Sequence, residues 1–189
     1  MTLQRTLAAV VRALQQAGVT WAVGGSALLE RLSLLDGDVR PGDLDIVVAL
    51  PDTDRALAAL SALGTCEKGE PKPPFMTRYY YRFRIDGCDV DMLAGFRVEH
   101  EAGVFELPFD ESAVEVTEGL PLGMAADWWL LYSLMPSPSR QAKAGKLYRL
   151  MEIEPQHFNS HRLRALMEQP WPERLRSQAL RLLELAGDS

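Results

Sequence analysis

Two runs of alternating residues, 78–85 and 88–93, flank the dipeptide Asp86-Gly87, and no other feature narrows the folds open to this chain as much. Asp-Gly tolerates the positive backbone angles of a two-residue type I′ turn, so the two runs are expected to close as a β-hairpin. Counting outward from the turn sets Ile85 against Cys88, Arg84 against Asp89, Phe83 against Val90 and Arg82 against Asp91. Asp89 and Asp91 then share a face with Arg82 and Arg84. Tyr80 falls on that arginine side, whereas Tyr79, Tyr81 and Phe83 are expected on the buried side.

The segments on either side alternate between helical and strand-like patterns. Leu3, Leu7, Val10, Val11 and Leu14 recur at helical spacing ahead of Gly18, which reads as a helix over residues 3–17. A short apolar run at 21–23 leads into Gly24-Gly25-Ser26, and Ala27, Leu28, Leu29, Leu32 and Leu35 then restore the helical period. A polar loop follows, then the run 44–50, whose Ile46-Val47-Val48 core suits a strand covered on both faces. Asp43 and Asp45 stand at its start, Pro51 ends it, and a helix is expected over 52–63. Shorter strand-like pieces lie near 104–107 and 114–116. From about residue 124 the pattern is helical to the end, with breaks at Pro136-Ser137-Pro138, Glu154-Pro155 and Gln169-Pro170-Trp171-Pro172. The expected class is α+β: a mixed sheet flanked by helices over residues 1–120, followed by an all-helical lobe over 121–189. A chain of 189 residues, 47% of them hydrophobic, is enough for one such unit.

Charge and cysteine usage exclude several functions. With 20 Lys and Arg against 26 Asp and Glu, the net charge of −6 argues against broad electrostatic capture of nucleic acid. No apolar run approaches the length of a membrane span, and the N-terminus lacks a signal peptide's cleavage site, so a cytoplasmic location is expected. Cys66 and Cys88 have neither C-x-x-C spacing nor a nearby His, which points away from zinc and from a disulfide framework.

One constellation carries chemistry. Glycines 24 and 25 sit at a strand-to-helix turn, where backbone can approach a ligand closely, and the Ser26 hydroxyl can bond an anionic oxygen. The same turn is also what an ordinary helix start with Ser26 as its cap would need. Asp43 and Asp45 lie two apart on a strand, so both carboxylates leave the same face and can share hard divalent cations. A third acid, Asp91 or Asp89, can complete an oxygen cage if the hairpin lies beside that strand. The plainer reading of those two acids is an ion-pair ladder with Arg82 and Arg84. Arg140, Lys143, Lys146 and Arg149 form a basic helix face, which is either solvated or turned toward a phosphate. Trp128 and Trp129 read as core packing, with Trp129 the one to line a pocket.

The stretches VGGSALLERL, RPGDLDIVV and DVDMLAGF together resemble the nucleotidyltransferase superfamily that includes DNA polymerase beta and the small antibiotic nucleotidyltransferases. The resemblance spans roughly residues 20–150. Within the superfamily, Val23-Gly24-Gly25 and Arg40 ahead of Asp43 look like the bacterial stand-alone and toxin-like branch. What it implies is a fold and a reaction. Gly24, Gly25, Ser26, Arg40 and Lys143 would hold an NTP, Asp43 and Asp45 would bind two Mg²⁺ ions, and Asp91 would be the third acid, metal ligand and general base. An NMP group would pass to a hydroxyl of a small molecule, protein or RNA acceptor, with pyrophosphate released; a tRNA end stays open as acceptor. Tyr132 stands where relatives often have Lys, and Ala144 where an acid is expected. Those departures keep a second expectation in play, a catalytically degenerate nucleotide-binding fold that serves as a toxin–antitoxin partner.

Overall fold

The computed structural model describes residues 2–37 and 39–187. The amphipathic helix α1 (Thr2–Gln16) ends where Gly18 takes a φ of +61°, and the chain turns into the short strand β1 (Trp21–Val23). Next come α2 (Gly25–Arg31), β2 (Asp43–Val48), α3 (Thr53–Ser61) and β3 (Thr65–Lys68). The hairpin is β4 (Tyr79–Ile85) and β5 (Cys88–Ala94), and its turn residues Asp86 and Gly87 have φ of 50° and 79°, as a type I′ turn requires. The strands β6 (Arg97–His100) and β7 (Gly103–Glu106) pair with each other outside the main sheet, with Val98 of β6 also bridged to Phe75, and β8 (Val114–Thr117) and β9 (Leu120–Gly123) form a second antiparallel pair. Four helices close the chain: α4 (Ala125–Leu134), α5 (Pro138–Ile153), α6 (Ser160–Leu166) and α7 (Glu173–Leu185). Their breaks fall at the prolines that mark them in the sequence, because proline lacks the N–H a helix interior needs.

The main sheet has seven strands in the order β3-β4-β5-β2-β1-β9-β8. β2 runs parallel to β5 and antiparallel to β1, while β1 runs parallel to β9. The hairpin register is the expected one at all four positions. One face of β2, β4 and β5 is apolar, with Leu44, Ile46, Phe83, Val90 and Met92 fully buried. The opposite face carries Asp43, Asp45, Asp89, Asp91, Tyr80, Arg82 and Arg84, because side chains alternate along a strand. Tyr79 departs from expectation: it stands at the end of β4 and is exposed, and only Phe83 of the three aromatic residues is fully buried.

β3, β6 and β9 were not legible as strands. β3 is exposed along its whole length and β9 contains a proline, so neither shows a period-2 apolar pattern. β9 straddles the division expected at residues 120 and 121, and the helices begin at Ala125. A single apolar core extends from Val10 of α1 to Leu183 of α7. It is tied by a buried ion pair in which Arg162 of α6 grips Asp127 of α4 at 2.7 Å and also donates to the Pro108 carbonyl and the Ser112 hydroxyl.

Candidate active site

The polar face of β2 and β5 opens into a cleft of about 770 Å³ that is roofed by α4 and α5. Asp43, Asp45 and Asp91 line it from the sheet, Ser26 from α2, and Arg140 and Lys143 from α5. Parallel pairing of β2 with β5 places Asp45 directly beside Asp91 and Asp43 beside Asp89. Sequence spacing alone could not give this neighbour relation, because it depends on which strand lies next to which.

The two glycines before Ser26 are dictated by close approach. Gly25 has a φ of +60°, and a Cβ there would fall 1.8 Å from the Asp45 carboxylate. A Cβ at Gly24 would fall 1.7 Å from the Trp128 ring. The Gly24 N–H donates to the Asp45 carbonyl at 2.9 Å, which seats the turn against β2. Ser26 makes no cap bond to the start of α2; its Oγ accepts from Lys143 Nζ at 2.8 Å, across 117 positions of sequence. The Lys143 ammonium also lies 5.4 Å from the centre of the Tyr132 ring.

Electrostatics single out Asp45. Half-buried on β2, it has its pKa pushed up to about 7, first by burial and then by the charges of Asp43 and Asp91, against the smaller opposing effect of Lys143 and Arg140. Crowding that raises a carboxylate's pKa makes a place that a hard cation would neutralise, and Asp43 with Asp45 supplies oxygen donors of the type Mg²⁺ takes. Asp91 is engaged elsewhere: Tyr80 Oη donates to its Oδ2 at 2.9 Å and Arg82 Nε donates to its Oδ1 at 3.3 Å. Accordingly, among the described residues no three His, Cys, Asp or Glu side chains converge on one point as a ready metal cage.

Asp89 takes Arg84 Nη1 at 2.5 Å and is absent from the cleft lining, whereas Asp91, which also pairs with an arginine, lines the cleft. Arg40 lies outside the cleft, exposed, with its Nε 3.8 Å from Glu30. The reason is the loop between α2 and β2: Lys146 holds it to α5 by donating to the Leu34 carbonyl at 3.0 Å and pairing with Asp36 at 2.6 Å, away from the acids. The basic face of α5 therefore divides between Arg140 and Lys143 in the cleft and Lys146 on the loop. It is Trp128, and not Trp129, that reaches the cleft; Trp129 packs on Tyr148 and Trp171.

Beyond the acids the wall turns aromatic. Ring centres step from Tyr132 to Trp128 at 5.5 Å, to Phe96 at 6.2 Å and to Phe75 at 6.3 Å, and the Arg140 guanidinium lies 4.8 Å from the Phe75 centre. Thr77, also in the wall, is 5% exposed, and its hydroxyl has no hydrogen-bond partner among the described residues. These residues come from the segment before β4, the turn between β5 and β6, and α4, and no local pattern could have assembled them. The Tyr80 contact was within reach of sequence reasoning: in the hairpin register Tyr80 opposes Leu93, which makes Asp91 its diagonal neighbour.

No protein-family model matches the chain, and no curated protein sequence matches it. Solved structures do. A protein from Thermotoga maritima assigned as a nucleotidyltransferase aligns with a TM-score of 0.58 at 19% identity, over 80% of this chain and 94% of its own. ANT(2″)-Ia, in complex with adenylyl-2″-tobramycin, aligns with a TM-score of 0.53 at 12% identity, over 82% and 92% of the two chains. The chain has the nucleotidyltransferase fold.

Proposed function

We propose that the protein is an Mg²⁺-dependent nucleotidyltransferase that moves an NMP group from an NTP to a hydroxyl of a small-molecule acceptor and releases pyrophosphate. The observation that carries this reading is the meeting of Asp43, Asp45, Asp91, Ser26 and Lys143 in one cleft of this fold. Lys143 and the Ser26 hydroxyl, already bonded to each other, are the groups to hold phosphate oxygens, and the bare backbone at Gly24 and Gly25 lets the turn lie against Asp45. Asp43 and Asp45 are the residues to hold two Mg²⁺ ions, which supply Lewis-acid stabilisation of phosphate charge and activation of the attacking oxygen when bound. Asp91 accepts the proton of the acceptor hydroxyl. Arg40 has no part in this scheme, because it stands outside the cleft. A small-molecule acceptor accords with the adenylylated aminoglycoside in the complex of ANT(2″)-Ia and with the net negative charge of the chain.

Thermal melting with each of the four NTPs, with and without Mg²⁺, tests the reading, since selective binding to the folded state raises the midpoint. We expect a rise that needs Mg²⁺ and disappears in Asp45→Asn and Lys143→Met. A rise independent of Mg²⁺ would favour a catalytically degenerate nucleotide-binding fold, and no rise with any NTP would overturn nucleotide binding.

A further inference from the structure

The hydroxyl of Tyr80 meets two conditions that a transfer reaction sets for its acceptor. An acceptor oxygen must lie in the cleft that holds the triphosphate, and its proton must rest against the group that removes it. Tyr80 lines that cleft, and its Oη donates to Asp91 Oδ2 at 2.9 Å, beside Asp45 in the strand register. The same oxygen accepts from Arg82 Nη2 at 2.7 Å, so negative charge developing on it keeps a cationic partner. One side of the ring lies close to the backbone at Gly69, where a Cβ would fall 2.3 Å from it, and the Arg82 guanidinium lies 5.7 Å from its centre.

We propose that the protein nucleotidylylates itself on Tyr80. The proposal rests on the nucleotidyltransferase reading above and adds to its small-molecule acceptor a hydroxyl of the chain itself. Tyr80 Oη attacks the α-phosphorus of a nucleoside triphosphate. An Oη–P bond forms, the bond from that phosphorus to the oxygen bridging to the β-phosphate breaks, and pyrophosphate departs with the electron pair. The phenolic proton passes to Asp91 Oδ2. The product carries a nucleoside monophosphate in phosphodiester linkage to tyrosine, and because the modified side chain then fills the acceptor position, the reaction stops at one group per chain.

The test incubates the full chain with Mg²⁺ and ATP, GTP, CTP or UTP separately. Intact mass and peptide mapping are read beside the Mg²⁺-dependent melting shift. The expected result is a gain of one nucleoside monophosphate per chain with at least one of them, on the peptide holding Tyr80, with an equal amount of pyrophosphate and with the mass restored by a phosphodiesterase. The gain disappears in Tyr80→Phe and Asp91→Asn, and mapping of the unmodified sequence identifies the site even if a variant folds poorly. A Mg²⁺-dependent shift with no adduct, or an adduct on another residue, overturns the proposal while leaving the nucleotidyltransferase reading standing. Faster transfer to an added acceptor by Tyr80→Phe, without any adduct on the wild type, also overturns it and makes the tyrosine a plug. Absence of any nucleotide shift defeats both readings together.

Discussion

A half-buried carboxylate with two acidic neighbours behaves differently from one on an open strand, and at Asp45 the difference sets a pH dependence. Its pKa rises from 3.8 to about 7, chiefly through burial, with Asp43 and Asp91 adding to the rise and Lys143 and Arg140 opposing it. The nucleotide-free folded chain therefore holds a proton that the unfolded chain has released, so folding stability falls as pH climbs from about 4 to about 7 and is level above that. Replacing Asp45 by Asn removes this slope. The variant is expected to melt above the wild type at pH 8 and level with it near pH 4, as measured in metal-free buffer. The same residue explains why glycine stands at position 25, since a side chain there would occupy the space of the Asp45 carboxylate. Much at this scale is visible in the chain itself: a D-x-D pair on a strand puts both acids on one face, and the glycines before Ser26 mark a turn. Their shared purpose is not visible, because the contact between Gly25 and Asp45 is made by folding.

The elements differ in how fully local chemistry specifies them. The β4–β5 hairpin is specified by its turn, with Asp86 and Gly87 both at positive φ and every cross-strand partner set by counting from it. Among the described residues nothing beyond its chain neighbours lies within 4 Å of a Cβ at Gly87, so a substitution there acts through the backbone. Gly87→Val is expected to cost about 1–2 kcal/mol by forcing a branched residue into the left-handed region. Urea unfolding should show this as a lower midpoint at unchanged slope. β3 and β9 are the opposite case. They exist because a neighbouring strand offers hydrogen bonds, and their own residues carry no alternation that would announce them. α5 lies between: its basic spacing is plain, but which of its cations meets the cleft and which holds the loop before β2 was decided by where α5 docks.

At the scale of the whole molecule, the helices that roof the cleft are anchored to the rest by Arg162 and Asp127. Asp127 is 1% exposed, and Arg162 is its charged partner while also serving Pro108 and Ser112. Arg162→Met leaves a buried carboxylate unpaired and is expected to cost about 3–5 kcal/mol, whereas adding Asp127→Leu should recover most of the loss. Chemical denaturation of the two variants checks both values. The sequence by itself determined the α+β class, the hairpin and its register, the order of the helices and the shared face of Asp43 and Asp45, because turn chemistry and the 2.0 and 3.6 periods act over a few residues. Only the tertiary structure decided that β5 lies beside β2 and brings Asp91 to Asp45, that Lys143 reaches Ser26, and that Arg40 lies outside the cleft. Those outcomes depend on strand order and helix docking, which are fixed by burying one common core and leave no periodic trace in the chain.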